Sequence, residues 1–364
     1  FSISKSIKLK TIGFINKTET NFFKNSIQQF VNINNSFTRK EDLAGNKKNI
    51  TTFGKVELIY DLSKTKTFEY TSKFNQGNEK NTSNLLFNNV SLFERLNSEN
   101  YLFDQKIVYT NKFIDKKVFL LTGRYINEKT PQIYSVNKYY FNDIFHENAN
   151  NTNQKSENQM EFSGIEAHLL DKKNNGNLLE IKFGNQLRRD NLYSRFTLFE
   201  NKNVISSPVN YQNCFTYSST DLYLSAKYRF NFKKFTLLNQ SDVHQLFNQL
   251  EKSNFKRNQT QFFIVPKIGI NWVINEKNKI LSTYTYNTTN IDILDIYSGY
   301  IQTGYNSFNK GIEEFNQLNA SSAILNYTFG NWTSNFFANT FIVYTKNNNF
   351  YSTNSTITQN YTQS

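Results

Sequence analysis

The stretch Asp221–Gln240, DLYLSAKYRFNFKKFTLLNQ, sorts its side chains into two alternating sets. The apolar set consists of Leu222, Leu224, Ala226, Tyr228, Phe230 and Phe232. The interleaved set is mostly polar or charged and consists of Tyr223, Ser225, Lys227, Arg229 and Asn231. Because successive side chains of a β-strand point to opposite faces, this alternation predicts a strand with one apolar face, followed by a turn at residues 231–234.

A strand of this kind fits two environments. In a soluble sandwich, the apolar face packs on a second sheet and the polar face meets water. In an outer-membrane barrel, the apolar face meets lipid and the polar face lines a wet lumen. The hairpin alone is compatible with both, so the choice depends on the rest of the chain.

The composition combines a polar average with many aromatic residues. Mean hydropathy is −0.62 over 364 residues, yet 16% of the residues are aromatic, including 35 Phe and 22 Tyr. A wide barrel has such a composition because its lumen and loops are polar, its lipid face is apolar and aromatic girdles mark both interfaces. A secreted β-sandwich or adhesin with Asn-rich loops has it too. No run approaches the ~18 consecutive apolar residues of a membrane-spanning helix.

Short polar turns recur along the chain with about 45 to 58 residues between them. We place them at residues 17–19, 61–65, 115–117, 171–176, 231–234, 275–278 and 330–331. Each interval holds two strands and a longer connection, at residues 32–49, 76–100, 128–158, 190–218, 248–258 and 290–315. Short periplasmic turns and long extracellular loops are typical of outer-membrane barrels. The pattern therefore predicts an all-β, antiparallel transmembrane β-barrel domain over residues 1–364, with about 14 strands.

Charged side chains recur on the polar face of the predicted strands. We expect Lys73, Lys182, Lys227 and Arg229 to face the lumen of the barrel. In the sandwich alternative, the same residues lie on the solvent face. The long connections favour the barrel, because loops of this length are uncommon in compact soluble domains.

Three segments carry a resemblance to a known family. They are KILSTYTYNT at residues 279–288 with the Tyr- and Asn-rich loop after it, LYLSAKYRFNFKKFTL at 222–237, and VELIYDLSKTKTFEY at 56–70. Their strand–turn–strand order resembles the barrel region of TonB-dependent receptors from Bacteroidota. The family's usual N-P-x-L-x-P-E stretch is absent, and KGIEEFNQLNAS stands near its place.

The resemblance implies a fragment of a larger, 22-strand barrel in the cell outer membrane. It implies energy-coupled uptake of a bulky solute such as a metal chelate, a glycan or a peptide, and a contact with the TonB complex through an N-terminal region. Neither a plug domain nor a TonB-contacting box is visible in these residues. We therefore expect the chain to be an incomplete barrel domain, without its plug and some of its strands. An ungated, porin-like channel is the alternative within transport.

Nothing in the sequence indicates an enzyme. The three histidines, His146, His168 and His244, lie in different segments, and the only cysteine, Cys214, has no partner at a recognisable catalytic spacing. Nucleotide-binding, hydrolase and metalloprotease motifs are absent. We predict no catalytic, cofactor or metal site.

The chain is basic, with a formal net charge of +13 and a pI of about 9.4. Its 42 Lys and Arg are dispersed and form no nucleic-acid motif, so we predict no nucleic-acid partner. Dispersed cations suit loops and a lumen that meet anionic lipid, including lipopolysaccharide, or anionic solutes.

Aromatic residues in two of the longer connections are the candidate ligand contacts. They are Tyr139, Tyr140, Tyr297, Tyr300 and Tyr305. Aromatic faces stack on sugars and on the apolar parts of chelates, and phenol groups form hydrogen bonds. The alternative is that these side chains pack within the loops or form part of an interfacial girdle.

Overall fold

A computed structural model describes residues 4–31, 36–114, 116–252, 255–290, 293–312, 314–315, 317–330, 336–350, 352 and 354–364. The long strands are β1 (Ile7–Val31), β2 (Ser36–Asp61), β3 (Lys66–Phe87), β4 (Val90–Lys112), β5 (Lys117–Val136), β6 (Asn151–Lys172), β7 (Leu178–Glu200), β9 (Gln212–Phe232), β10 (Phe235–Lys252), β11 (Phe255–Val273), β12 (Asn278–Asn290), β15 (Gln317–Phe329) and β16 (Ala338–Asn347). Shorter elements are β8 (Asn203–Ser206), α1 (Ile293–Ile296), β13 (Ile301–Gly304), β14 (Ser307–Asn309), β17 (Thr356–Ile357) and β18 (Thr362–Gln363).

The long strands form one antiparallel sheet in chain order. The sheet runs β1-β2-β3-β4-β5-β6-β7-β9-β10-β11-β12-β15-β16, and β8 pairs with β7, which makes 14 strands. This confirms the predicted all-β fold, the antiparallel pairing and the strand number. The apolar face of the sheet is not covered by a second sheet in the described residues, so the sandwich alternative does not describe this fold.

The predicted turn at residues 17–19 is wrong, because β1 passes through it without interruption. Lys17, Thr18 and Glu19 pair with residues 50, 49 and 48 of β2, and Glu19 forms an ion pair of 3.0 Å with Lys48. The triplet has no Gly, Pro or Asn to turn the backbone, and a cross-strand ion pair stabilises polar residues within a strand. Polarity alone was therefore misread as a turn. The count of 14 strands is reached through β8 instead.

The predicted long connections are mostly strand. Residues 76–100, for example, form the ends of β3 and β4, joined by a tight turn at Asn88 and Asn89 with φ angles of 47° and 69°. Two consecutive positive φ angles at Asn residues suit the two-residue turns that close hairpins. The strands thus continue well past the ~9–11 residues that cross a membrane. Of the connections that the structure describes in part or whole, those at 137–150, 201–211 and 291–316 are the longest.

The short turns lie together at one end of the sheet, which we call the lower rim. The turns predicted near residues 63, 116, 174, 232 and 277 all fall between the observed strands there. Lys233, with a φ of 49°, turns the chain from β9 into β10, and Phe232 pairs directly with Phe235 across the turn. The opposite end of the sheet, the upper rim, carries the three longest connections beside the two-residue turn at Asn88 and Asn89. In the predictions at 115–117 and 330–331, residues 115 and 331 lie outside the described residues.

The two faces of the lower half of the sheet differ in chemistry. Along β9, the side chains from Leu222 to Phe232 are alternately exposed and half-buried, as the sequence predicts. The exposed set is apolar, and Leu224 and Phe232 are 47% and 56% exposed. We call this side the outer face, and the side carrying Ser225, Lys227 and Arg229 the inner face. Exposed apolar side chains on the outer face of other strands include Tyr60, Ile107, Ile165, Phe183, Phe262, Ile268 and Trp272.

The strand ends are staggered across the sheet. A single row of cross-strand partners on the outer face runs through Leu58, Tyr70, Ile107, Gly123, Ile165, Asn185, Leu222, Gln245 and Phe262. Leu58 lies three residues before the lower end of β2, whereas Leu222 and Phe262 lie ten and eleven residues before the lower ends of β9 and β11. Tilted strands with a steady stagger are the geometry that curves a sheet into a barrel wall.

Candidate functional site

The upper half of the inner face is covered by two segments that fold onto it. They are the described residues of 295–315 and residues 354–364, which together we call the cap. Within the cap, β13, β14, β18 and β17 form a separate four-stranded sheet in that order. β14 and β18 are parallel, and the others pair antiparallel. The cap therefore joins two distant parts of the chain over the upper inner wall.

Arg39 of β2 anchors the second cap segment. Its side chain is only 5% exposed, and its Nε donates to the carbonyl oxygen of Thr358 at 3.1 Å. The guanidinium group also donates to the carbonyl oxygen of Tyr361 at 2.6 Å and to Oγ1 of Thr362 at 3.0 Å. Phe30 and Phe37 flank the guanidinium, at 5.1 and 5.8 Å from its carbon to the ring centroids. A buried charge is stable only when its donors are satisfied, and these contacts satisfy them.

Two buried amides anchor the first cap segment. Asn213 of β9 accepts a hydrogen bond from the Gly299 amide at 2.7 Å and donates to the Gly299 carbonyl oxygen at 3.0 Å. A Cβ atom at position 299 would lie 2.5 Å from the carbonyl oxygen of Gln212, so this close approach requires glycine. On β6, Gln154 Oε1 accepts from the backbone amide of Gln302 at 3.0 Å.

Three aromatic and aliphatic clusters lie between the cap and the wall. The β9 cluster contains Leu192, Phe215, Tyr217, Leu250, Ile296 and Phe315. The phenylalanine cluster contains Phe141, Phe145, Phe196, Leu198, Tyr211, Phe308 and Tyr361. The β3 cluster contains Leu85, Phe87, Leu92, Val136 and Tyr305. Each combines wall residues with residues of the cap, so burial of apolar surface holds the cap in place.

The five tyrosines proposed as ligand contacts all lie in or against these clusters. Tyr139 and Tyr300 pack on the phenylalanine cluster, Tyr297 on the β9 cluster, and Tyr140 on the β3 cluster, of which Tyr305 is a member. Tyr300 stacks on Tyr211 with ring centroids 5.2 Å apart. The structure therefore brings them together at the upper inner wall, in the packing role that was the alternative. Their contact with a ligand stays a prediction.

Tyr305 is the most enclosed of the five. It is 8% exposed, packs edge-on against Phe87 at 5.0 Å between centroids, and donates to Oε1 of Glu41 at 2.8 Å. Burial, together with the Glu41 carboxylate, raises the pKa of the Tyr305 phenol well above its ordinary value. Tyr305 is thus a neutral hydrogen-bond donor at every physiological pH.

The four cations predicted to line the lumen share the inner face. Lys227 Nζ lies 3.0 Å from Glu180, Lys182 lies 3.8 Å from Glu166, and Lys73 lies 3.7 Å from Asp104. Asp104 also receives two hydrogen bonds of 3.0 Å from Arg124. The fourth cation, Arg229, has a buried Nε with no hydrogen-bond partner among the described residues. Cross-strand ion pairs therefore neutralise much of this wall.

The inner face also carries a histidine with a carboxylate partner, which the sequence did not predict. His244 Nδ1 lies 3.0 Å from both carboxylate oxygens of Asp221, and its ring stacks on Phe263 at 4.9 Å and on Tyr223 at 5.7 Å. Tyr223 in turn donates to Oε2 of Glu166 at 2.6 Å. Only the register of β9 and β10 brings these two residues together: His244 pairs with Tyr223, and Asp221 lies two residues from Tyr223 on the same strand. The sequence alone does not give that register.

Other chemistry is not visible in the described ranges. They contain no group of three or more His, Cys, Asp or Glu side chains placed to hold a metal ion. They also contain no helix that is long and apolar enough to cross a membrane. Cys214 is an exposed free thiol on the outer face of β9.

Comparison with solved structures identifies the fold. The chain is similar to the unliganded ferric citrate transporter FecA, with a TM-score of 0.55, 9% identity, and coverage of 100% of this chain and 55% of FecA. It is similar to the ferripyoverdine receptor of the outer membrane of Pseudomonas aeruginosa, with a TM-score of 0.53, 10% identity, and coverage of 91% and 47%. For the copper transporter OprC the TM-score is 0.50, with 5% identity and coverage of 90% and 52%.

These similarities are similarities of fold. The chain has the fold of a large portion of a receptor barrel wall, and it spans about half the length of each of these proteins. No family model matches the sequence, and no curated protein resembles it in sequence.

Proposed function

We propose that the chain is the wall of an outer-membrane receptor that takes up a bulky solute. The observation that carries the proposal is the pairing of an exposed apolar outer face with an ion-paired inner face on one staggered sheet. Such a sheet is stable only if lipid covers the outside and water or protein fills the inside. The similarity of fold to FecA and the ferripyoverdine receptor supports it.

The solute class remains that of the sequence prediction: a metal chelate, a glycan or a peptide. The cap supports a gated receptor over an open porin, because it folds inward and covers the upper inner wall with buried aromatic residues. We propose that Tyr139, Tyr140, Tyr297, Tyr300 and Tyr305 contact the solute when the cap rearranges, and that Lys73, Lys182, Lys227 and Arg229 line its path. Coupling to the TonB complex, through a region outside these residues, rests on the resemblance to Bacteroidota receptors.

The placement of the sheet is testable with single cysteines. The exposed free thiol of Cys214 is first removed by the substitution Cys214→Ser. Leu224→Cys and Ser225→Cys are then compared in the full chain reconstituted in liposomes, with a lipid-phase probe and a small aqueous maleimide. We expect the lipid-phase probe to label position 224 and the maleimide to label position 225. Equal labelling of both positions by the maleimide would show that no lipid covers β9.

Repeating the two labelling reactions on the neighbouring strand β10 tests whether the assignment of the faces extends beyond β9. On β10, Val243 is the partner of Leu224 and Asp242 that of Ser225. Val243→Cys should follow the lipid-phase pattern and Asp242→Cys the aqueous one. Conductance separates receptor from porin: the full-length protein in a planar bilayer should be closed, and a steady open conductance would favour the channel.

A further inference from the structure

Two cavities lie side by side at the upper rim, where the first cap segment meets the upper ends of β9, β10 and β11. Their volumes are about 450 Å³ and about 310 Å³, and both are lined by Lys252, the last residue of β10, and by Ser298 of the cap. Lys252 Nζ donates to Ser298 Oγ at 2.7 Å. This pair of side chains therefore marks the boundary between the two cavities, which together we call the rim groove. Cavities of ~300–1,000 Å³ are the usual size of small-ligand sites.

The smaller cavity, which we call the apolar subsite, is lined mainly by hydrophobic side chains. Phe215, Leu250 and Phe255 come from the wall, and Ile296 comes from the cap. Phe215, Leu250 and Ile296 are buried, whereas Phe255 is 56% exposed. An aromatic ring left open to water beside a buried apolar surface gains free energy when a further apolar group covers it. The apolar subsite therefore suits one apolar side chain of a ligand.

The rim groove is also basic. Lys252 and Lys310 line the larger cavity, which we call the polar subsite, and Arg257 lines the apolar subsite beside Lys252. Lys310 Nζ lies 5.9 Å from the centroid of the Tyr300 ring, and the guanidinium carbon of Arg257 lies 5.7 Å from that of Phe315. The described lining residues of both subsites include no carboxylate. Three cations in a lining without an acid favour a ligand that carries negative charge.

The order of the subsites indicates which charged ligand fits. Lys252 lies between the apolar subsite and the polar subsite, where Asn210 and Gln212 supply amide groups. The Cα atom of a C-terminal amino acid likewise joins a side chain, a carboxylate and a peptide group. A neutral glycan has no charge for the three cations, and a polar metal chelate leaves the apolar subsite unfilled. The groove therefore favours the end of a peptide among the three solute classes.

We infer that the rim groove binds the C-terminal end of an extended peptide whose last residue is apolar. The inference rests on the proposed uptake function and narrows its solute class to peptides. The carboxylate binds Lys252, the last side chain fills the apolar subsite, and the preceding peptide groups lie along Asn210 and Gln212. Because wall and cap both line the groove, a bound peptide favours the docked state of the cap.

The first part of the test varies the peptide. The full chain in detergent is titrated by calorimetry with an acetylated hexapeptide of five alanines and a C-terminal phenylalanine. The same peptide with a C-terminal amide lacks the carboxylate, and one that ends in serine lacks the apolar side chain. We expect each change to weaken binding about tenfold, because each removes the partner of one subsite. Equal affinity for acid and amide would overturn the carboxylate site, and equal affinity for the phenylalanine and serine ends would overturn the apolar subsite.

The second part varies the protein. Lys252→Met should weaken binding of the acid about tenfold and abolish the preference for the acid over the amide. Lys256→Met makes the same change in charge at an exposed lysine of β11 that lines neither cavity, and it should bind like the parent. Ser298→Ala removes the acceptor of Lys252 but keeps the charge, so the preference for the acid should persist.

Two outcomes of this second part would overturn the assignment of Lys252. They are an equal loss of affinity in Lys252→Met and Lys256→Met, and a loss of the acid preference in Ser298→Ala as complete as in Lys252→Met. Peptide binding is measured in detergent, so its result is separate from the liposome labelling that tests the membrane location. A chain that shows the lipid-facing pattern of labels but binds none of the peptides would overturn the peptide assignment alone.

Discussion

The lower and upper halves of the same strands bury their apolar side chains in different ways. In the lower half, the strands expose apolar side chains outward and join cations to carboxylates inward, as Leu224 and the Lys227–Glu180 pair do on β9 and β7. In the upper half, the inward side is apolar and sealed, with Phe196 fully buried beneath the cap. On β7, the apolar side therefore changes from outside to inside along the strand. In the proposed membrane location, lipid covers the apolar outer face of the lower half, and the cap covers the apolar inner face of the upper half.

The alternation of apolar and polar residues marks a strand, whereas the surroundings of the strand decide which of its faces is apolar. On β7, Phe183 points outward and is 53% exposed, while Phe196, thirteen residues further up, points inward and is fully buried. Because an odd spacing reverses the face, the apolar side of β7 changes between these two phenylalanines. A strand whose apolar residues move from one face to the other along its length indicates, in the sequence, that its surroundings change along that length.

The largest effect should come from the sealed upper half. Phe196 packs against Phe145, Phe308 and Tyr211 with centroids 5.0–5.9 Å apart. Phe196→Ala should lower the free energy of unfolding by about 3–5 kcal/mol, because it leaves a cavity that the rigid wall and cap cannot fill. The measurement is denaturant unfolding in lipid vesicles.

Phe183→Ala on the same strand is the matched control for that loss. Its side chain faces outward, where mobile lipid chains fill the space of the missing ring, so the effect should be smaller. If both substitutions lowered the free energy of unfolding equally, the outer face at position 183 and the inner face at position 196 would have the same environment, and the proposed difference between the two halves would be wrong.

The next effect concerns the facing of the lower half. Leu224→Arg should destabilise the protein in vesicles by ~2–4 kcal/mol, since a charge at the lipid face near the midplane loses its water. Ser225→Arg should be nearly neutral, because that side chain points to the inner face beside Lys227. Folding in vesicles, followed by the gel mobility of the folded form, measures both. A penalty at position 225 as large as that at 224 would contradict the assignment of the faces.

Much of the lower half could be predicted from the sequence, and little of the upper half. The face of every residue from Leu222 to Phe232 follows from a period of two, since register and burial act on adjacent residues there. The cap depends on contacts between residues about 320 apart, such as Arg39 with Tyr361, and no local pattern encodes such a pairing. The five loop tyrosines come from two separate connections, and no local pattern predicted that they lie together at the upper inner wall.

The turn prediction failed for a related reason. Lys17–Glu19 is polar but lies within β1, and exposed apolar side chains follow it on the same strand at Phe23, Ile27 and Val31. Polar residues do not mark a turn there, because the strand continues and cross-strand ion pairs such as Glu19–Lys48 stabilise it. The strands are longer than predicted because their upper halves, which the sequence prediction assigned to loops, are also strand.

Loss of the Arg39 anchor should release the cap without unfolding the wall. Arg39→Met removes the donors to Thr358, Tyr361 and Thr362, and it leaves the carbonyl oxygen of Thr358 without its guanidinium donor, whereas the Tyr361 carbonyl still accepts from the Thr358 amide. An unsatisfied buried group costs about 1–3 kcal/mol, so the population of the open cap should rise by at least fivefold. Limited proteolysis between residues 348 and 360 measures this opening. Arg95→Met, an exposed arginine elsewhere on the upper wall, should leave the cleavage rate unchanged, and an unchanged rate in Arg39→Met would contradict its anchoring role.

The smallest effect is a dependence of cap docking on alkaline pH. Burial in the phenylalanine cluster raises the pKa of Tyr211 to about 12, against about 10 for an exposed tyrosine. The raised value means that the docked state favours the neutral phenol. The resulting stabilisation is complete below pH ~10 and is lost as the pH rises through about 12, because only the open state ionises readily in between. Absorbance of tyrosinate near 295 nm, compared between the parent and Tyr211→Phe, should show one late-titrating group in the parent. If the difference spectrum instead titrates near pH 10, Tyr211 meets water freely and the cap does not seal the upper wall.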